Sequence, residues 1–150
     1  MLKMNVTTIL EERMLEEIKR LYYIHLEVEA DYILKNYTWL KIYRVGKVLT
    51  AEGCLSVNDI NYCVKIYYSP FYKYRMDRIY ITNQKIEYND DIHLYKDLSL
   101  CLYHLETDMP LNGIIPLHKM IPWITEWCHF YEEWKKYGVW LAPEIKHRII

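Results

Sequence analysis

Hydrophobic residues recur at three- and four-residue intervals over the first part of the chain. The set is Leu10, Met14, Ile18, Leu21, Tyr22 and Leu26. Residues at this spacing share one face of an α-helix, and no proline or glycine interrupts the pattern before about Leu34. Thr8 and Glu11 have the spacing of a capping box at the start of the helix. The pattern predicts a long amphipathic helix, with His25 as a packing residue at the edge of its apolar face.

Residues 39–82 are rich in aromatic and β-branched side chains, which favour strands. The clearest strand is 60–68, where apolar and polar residues alternate strictly and Cys63 falls on the less apolar face. The other elements follow in chain order: a strand over 39–48, a turn at 51–53, a short strand through Val57, a turn at Asn58-Asp59 and a strand over 78–82. Four consecutive strands with short connections indicate an up-and-down antiparallel meander behind the helix.

Residues 83–117 fit neither a helical nor a strand period, and Pro110, Asn112-Gly113 and Pro116 mark turns in their later part. An irregular segment of this length inside a compact domain is usually functional.

Helical spacing returns near Leu117 and ends at Gly138, a residue type suited to a helix C-cap. The apolar positions of this helix are Met120, Ile124, Trp127, Cys128, Tyr131 and Trp134. We interpret them as core residues, Cys128 included, because a free cysteine usually behaves as a small buried hydrophobe. Residues 140–147 are expected to add a short helix or turn.

These elements predict an α+β fold in one domain of 150 residues, with C-terminal helices after the long loop. The formal net charge of -1, with basic residues scattered among acidic ones, argues against a nucleic-acid partner. No apolar stretch approaches the ~20 residues of a membrane span, and no secretory signal precedes Glu11. We therefore expect a cytoplasmic protein that binds neither nucleic acid nor membrane.

The four cysteines, Cys54, Cys63, Cys101 and Cys128, contain no Cys-x-x-Cys spacing. The spacing indicates neither a zinc site nor a redox dithiol. Free thiols are expected for an intracellular protein, with two disulfides as the alternative for a secreted one. No cofactor is indicated either, since the 4 glycines form no phosphate-binding loop.

Cys101 stands between two leucines near the end of residues 92–103, with His93, Tyr95 and Asp97 shortly before it. A nucleophilic cysteine needs a shaped loop and a hydrogen-bonding group near the sulfur, whereas a buried structural cysteine needs neither. His93 could act as a base, lower the thiol pKa or donate a hydrogen bond to an oxyanion. Equally, it could fix the loop through a hydrogen bond to the backbone.

Four further residues are candidates to support this site. Tyr95 is expected to brace the loop by packing, and Asp97 to form a turn. Tyr103 and His104, just past the cysteine, could line the site or point into the core.

The order of elements resembles the ubiquitin-conjugating-enzyme (UBC) fold, and the loop resembles its active-site motif. Members typically read His-Pro-Asn-x-Tyr, then Asp-Gly, then an apolar residue, Cys and Leu. Aligned on Cys101, the chain has Tyr95, Asp97 and Leu100-Cys101-Leu102 at matching spacings. Four positions depart from the motif's His, Pro, Asn and Gly; they hold Asp91, Ile92, His93 and Leu98.

This version of the motif resembles the bacterial conjugating-enzyme-like proteins of CBASS antiphage operons, in their short form without an activating-enzyme domain. The ending Gly138-x-Trp140-x3-Glu144-x2-His147 resembles that group as well. The resemblance implies an antiviral role in which Cys101 carries the C-terminus of a cGAS/DncV-like nucleotidyltransferase as a thioester and passes it to an amine. It leaves open whether a separate activating enzyme takes part.

Two alternatives remain at this point. The chain could be a catalytically inactive adaptor of the same fold that binds a protein through a tyrosine-rich surface. It could also be a cysteine hydrolase that uses Cys101 with His104 or His147.

Overall fold

The computed structural model describes residues 6–69, 76–103 and 115–142. Its elements, in chain order, are helix α1 (Val6–Asn36), strands β1 (Leu40–Val45), β2 (Leu49–Val57), β3 (Ile60–Tyr68) and β4 (Asp77–Ile81), a 3-10 turn (Asp90–Ile92) and helix α2 (Leu117–Tyr137). The strands form one antiparallel sheet in the order β1-β2-β3-β4. The predicted α+β meander between two helices is confirmed, and it is consistent with a UBC-like fold.

The β2–β3 hairpin follows the predicted alternation. Tyr62, Val64 and Ile66 on β3 are at most 1% exposed, so they form the centre of the core between the sheet and the helices. The turn residues Asn58 and Asp59 both have positive φ, 52° and 65°. Two such residues form the tight turn that matches the twist of the strands on either side.

The predicted turn at residues 51–53 is wrong, because these residues lie in the middle of β2 and the β1–β2 turn is at 46–48. Gly53 pairs with Leu40. A Cβ atom at Gly53 would lie 2.1 Å from the carbonyl oxygen of Trp39. The glycine therefore permits a close backbone approach at the start of β1 and does not interrupt the strand.

Helix α1 begins at Val6, so Thr8 lies inside the helix and is not its N-cap. The side chains of Thr8 and Glu11 lie outside the described part of the structure. Leu26 and Ile33 are fully buried, but Leu21 is 56% exposed. A helix of 31 residues is roughly 46 Å long at about 1.5 Å per residue, longer than any strand of the sheet. Among the described side chains, the apolar face packs on the domain only toward the C-terminal end of α1.

Helix α2 ends as predicted, with Gly138 at φ 71° and its amide bonded to the Trp134 carbonyl at 2.8 Å. The predicted burial of Cys128 is confirmed, and this burial, followed by the nearby Glu132 charge, raises the pKa of its thiol to about 12. The predicted short helix at 140–147 falls mostly outside the described residues. Within the described ranges, neither helix combines the length and apolar character needed to span a bilayer.

Two partly buried polar links connect α1 to the sheet and to α2. The Tyr68 hydroxyl donates to the Ile115 carbonyl at 2.8 Å. Its oxygen therefore accepts from His25 Nε2, which lies 2.9 Å away, and the His25 imidazole is the donor. Burial lowers the pKa of His25, which favours the neutral ring. The buried Glu29 carboxylate accepts from the backbone amide of His118 at 3.1 Å and from the ring nitrogen Nδ1 of His118 at 2.9 Å. Glu29 thus satisfies an orphan amide in the first turn of α2.

We predict that Gly53→Ala lowers the free energy of unfolding by about 2–3 kcal/mol, because the new methyl group must displace the backbone of Trp39. Gly46→Ala is the matched control, since a Cβ atom there meets no heavy atom closer than 3.7 Å. Urea denaturation of both variants measures the difference. Equal losses in the two variants would contradict this account of Gly53.

Candidate functional site

The chain reaches the candidate site through the 3-10 turn. The Asn89 side chain caps this turn by accepting from the Asp91 amide at 2.9 Å. Ile92 is 1% exposed, and its carbonyl accepts from Trp127 Nε1 of α2 at 2.8 Å. An apolar anchor and an indole hydrogen bond therefore fix the chain immediately before His93.

His93 and Cys101 close the loop through their backbones. His93 has a left-handed conformation, with φ 53°, which reverses the direction of the chain. The Cys101 amide donates to the His93 carbonyl at 2.9 Å, and the Tyr95 amide donates to the Ser99 carbonyl at 2.9 Å. Asparagine and histidine are both enriched in left-handed backbone, which gives a physical reason why His93 can stand where the related motif has asparagine.

The closed loop, residues 93–101, docks on the edge of the sheet. Leu94 and Leu100 form an isolated antiparallel bridge within the loop, and both are buried. The Leu100 amide donates to the Ile79 carbonyl of β4 at 2.8 Å. The loop thus continues the sheet by one short contact, which places Cys101 beside a rigid edge.

The tip of the loop is a tight turn built around Asp97. Its Oδ1 accepts from the Ser99 amide at 3.0 Å and from the Ser99 hydroxyl at 2.5 Å, and the Leu98 amide donates to the Tyr95 carbonyl at 2.8 Å. Leu98 has φ 70°, a conformation that glycine adopts without strain. The backbone at this position therefore keeps the shape that the related motif's glycine allows.

The Cys101 thiol is partly exposed, and its sulfur lies 3.6 Å from the Tyr103 carbonyl oxygen, to which it can donate. The Tyr103 side chain is 3% exposed and donates to the buried Asp77 carboxylate at 2.6 Å. Tyr103 therefore belongs to the core, and its backbone carbonyl faces the Cys101 thiol. Cys101 is partly exposed, whereas Cys128 is buried.

The half-buried His93 imidazole packs against Trp140, with ring centroids 5.3 Å apart and planes 36° apart. Trp140 in turn contacts Trp127 at 5.9 Å and Phe130 at 6.0 Å. This aromatic wall sets the position of the imidazole. Helical spacing predicted a core position for Trp127, and Trp140 was noted as part of the Gly-x-Trp ending. Neither pattern predicted that the two residues support the loop.

Three further residues that the sequence singled out belong to parts of the chain that the structure does not describe. His104, Glu144 and His147 lie outside the described residues, so the hydrolase arrangement that needs His104 or His147 has no described geometry. Within the described ranges, no group of three or more His, Cys, Asp or Glu side chains is placed to hold a metal ion.

The expectation of free thiols is wrong for two of the four cysteines. Cys54 and Cys63 form a disulfide between directly opposite positions of β2 and β3. The two cysteines are equally far from the Asn58-Asp59 turn, so the register of the hairpin brings them together. The predicted strand through Val57 and the turn at Asn58-Asp59 imply the same register. The disulfide was not predicted because free thiols were expected for a protein without a secretory signal.

A family model described as Type II CBASS E2 protein matches residues 29–148, more than half of the chain, and this span includes the loop and α2. No curated protein and no solved structure matches the chain.

We predict that Leu98→Gly leaves the free energy of unfolding within about 0.5 kcal/mol of the wild type, whereas Leu98→Val lowers it by about 1–2 kcal/mol. The reason is that a β-branched residue tolerates positive φ worst. The same two substitutions at the exposed Lys96, where φ is not positive, should not show valine as the worse residue. Urea denaturation of all four variants measures this, and equal stability of the two Leu98 variants would contradict it.

Proposed function

The chain belongs to the type II CBASS E2 proteins, and from this membership we propose that it is a thioester transferase whose nucleophile is Cys101. The observation that carries the proposal is the setting of the thiol. Cys101 is partly exposed on a loop whose ends are joined by the 2.9 Å bond between the Cys101 amide and the His93 carbonyl. A thiol that is both accessible and positioned is what acyl transfer requires.

In the first step, the Cys101 thiolate attacks the carbonyl carbon of an activated C-terminal carboxyl group. A carbon–sulfur bond forms, and the activating group departs with its electron pair. An ordinary cysteine with a pKa near ~8.5 is only a few per cent thiolate at neutral pH, but thiolates are strong nucleophiles. Access and position therefore matter more here than strong activation of the sulfur.

In the second step, a neutral amine attacks the thioester carbonyl, and the tetrahedral oxyanion collapses to an amide as the Cys101 thiolate leaves. The proton that the amine nitrogen loses passes to the departing thiolate. We assign the support of this oxyanion to His93. Its ring is held against Trp140, and a ring of fixed orientation can direct an N–H toward developing negative charge without reorganising. Asp97 and Tyr95 have positioning roles, since they shape the turn between His93 and Cys101.

The proposed acyl donor is the C-terminus of a cGAS/DncV-like nucleotidyltransferase. Membership of a CBASS family supports an association with CBASS components, and the nucleotidyltransferase is the component that the resemblance implies. Its attachment to an amine would prime the synthase. Running the reaction with and without an activating enzyme and ATP tests whether a separate protein supplies the activated carboxyl.

We predict that the wild-type protein and its nucleotidyltransferase form an adduct that Cys101→Ala abolishes, because the attacking sulfur is removed. Neutral hydroxylamine should cleave the adduct, since it breaks thioesters and leaves disulfides intact. This reagent is needed because Cys54 or Cys63 could form a reductant-sensitive mixed disulfide with the partner. Denaturing electrophoresis gives the measurement.

The control for that experiment is the double variant Cys54→Ser, Cys63→Ser, which should keep the hydroxylamine-sensitive adduct. Persistence of the adduct in Cys101→Ala would overturn the assignment of the nucleophile. Full phage protection by Cys101→Ser in cells would favour the adaptor alternative.

We predict that His93→Ala slows discharge of the thioester to an amine by ~10²–10³-fold, the usual cost of one oxyanion donor. His93→Asn should retain part of the rate, because an amide can donate the same hydrogen bond and tolerates the left-handed backbone. Single-turnover discharge of the purified thioester separates this step from loading. Equal rates for the wild type and both variants would reduce His93 to a structural residue.

A further inference from the structure

The outer face of the β2–β3 hairpin carries the disulfide between Cys54 and Cys63. We propose that this pair is a reversible thiol–disulfide exchange site for a dithiol reductant, and that its state sets how firmly the start of the active-site segment, defined as residues 82–101 after β4, is held. The site is separate from Cys101 and Cys128, which are not part of the disulfide.

The first observation that supports the proposal is that the disulfide is accessible and that the hairpin holds its two cysteines in place. Cys54 is exposed and Cys63 is half-exposed, so an external thiol can reach the bond. The two Cα atoms are 4.0 Å apart, and pairing continues on both sides of them, at Gly53 with Val64 and at Leu55 with Tyr62. Opening the bond therefore leaves the two thiols facing each other within an intact hairpin, which makes the reaction reversible.

The second support is the surroundings of the leaving sulfur. A thiolate of the dithiol attacks the sulfur of Cys54, a mixed disulfide forms, and Cys63 departs as a thiolate. The Asn61 side-chain amide donates to Cys63 Sγ at 3.5 Å, so it stabilises that leaving group. The second thiol of the reductant then displaces Cys54. Two electrons pass to the pair, each released sulfur takes up a proton, and the reductant becomes its own disulfide.

The third support is the link from Cys63 to the next part of the chain. The Cys63 amide donates to Asn83 Oδ1 at 2.8 Å, and its carbonyl accepts from the Thr82 amide at 2.8 Å. The backbone of Cys63 is thus directed toward residues that follow β4, so its pairing with Cys54 is of the non-hydrogen-bonded kind. At this position, the disulfide is the covalent tie between β2 and β3.

Asn83 extends this link, because its Nδ2 donates to the Asn61 carbonyl at 2.8 Å. One amide side chain therefore bridges Asn61 and Cys63 where the chain leaves β4 for His93. The Asn83 side chain thus anchors the chain after β4 to β3. When the disulfide is closed, β3 is covalently joined to β2 at this position. When the disulfide is open, the part of β3 that carries this anchor is joined to β2 by the pairing of the neighbouring residues alone.

The test counts accessible thiols in the folded Cys101→Ser protein. Cys128 stays unreacted in this protein, because it is buried and its thiol pKa is raised to about 12. The protein is equilibrated with mixtures of a reduced and an oxidised dithiol, alkylated and weighed by intact mass spectrometry. We expect no alkyl group in the oxidised protein, two in the reduced protein, and a return to none after reoxidation.

A control with Cys54→Ser added should carry one alkyl group in reducing buffers and never two. The proposal is overturned if the pair becomes reducible only after denaturation, which would make the bond purely structural. It is also overturned if two thiols react from the start and no oxidant removes them.

Hydrogen exchange tests the coupling to the active-site segment. The amides of Cys63 and Thr82 should exchange at least about fivefold faster in the reduced form, while core amides of β3 should stay unchanged. Asn83→Ala, which removes the bridge, should give fast exchange at Cys63 in both redox states. Equal exchange at Thr82 before and after reduction would overturn the coupling. Neither readout uses acyl transfer, so both results are independent of the proposed function.

Discussion

The hydrogen bond from the Cys101 amide to the His93 carbonyl gives the irregular segment after β4 its fixed shape. It forms because His93 adopts a left-handed backbone, which turns the chain back toward the sheet. The left-handed turn can be held in place because Ile92, just before it, is buried and bonded to the indole of Trp127. The accessible thiol therefore depends on a contact made by helix α2.

Several weak supports act together on this loop. The bridge between Leu94 and Leu100 buries two leucines, and the Leu100 amide attaches the loop to Ile79 of β4. Each hydrogen bond contributes about 1 kcal/mol net, so no single one fixes the site. Their sum orders the loop before any substrate arrives, which removes part of the entropic cost of bringing a thiol and a carbonyl carbon together. This is the physical link between the fold and the proposed acyl transfer.

Local patterns predicted the elements whose causes are local. The alternation over 60–68, the helical spacing from Leu117 and the C-cap at Gly138 each follow from one strand or one helix, and each is confirmed. The turn at 51–53 failed because the reason for Gly53 is a contact with Trp39 across the sheet. The Cys54–Cys63 disulfide was not predicted for a different reason: its register follows from the predicted turn at Asn58-Asp59, but free thiols were expected because no secretory signal was found.

In the candidate site too, features with local causes could be predicted and features that depend on distant contacts could not. Spacing alone singled out Cys101, His93 and Asp97, because the loop that joins them is short and continuous. The supporting roles of Trp127 and Trp140 could not be predicted, since they arise only when α2 and the residues after it pack against the loop. A helical apolar spacing says that a tryptophan is buried; it does not say which backbone carbonyl its indole will reach.

The central claim is that the acyl group is carried on the sulfur of Cys101. The most direct measurement is peptide mapping by mass spectrometry of the wild-type adduct, isolated under acidic conditions without reductant. The account predicts that the C-terminal residue of the nucleotidyltransferase is joined to the peptide that contains Cys101. It is contradicted if the partner is joined to any other residue while the thiol of Cys101 can still be alkylated.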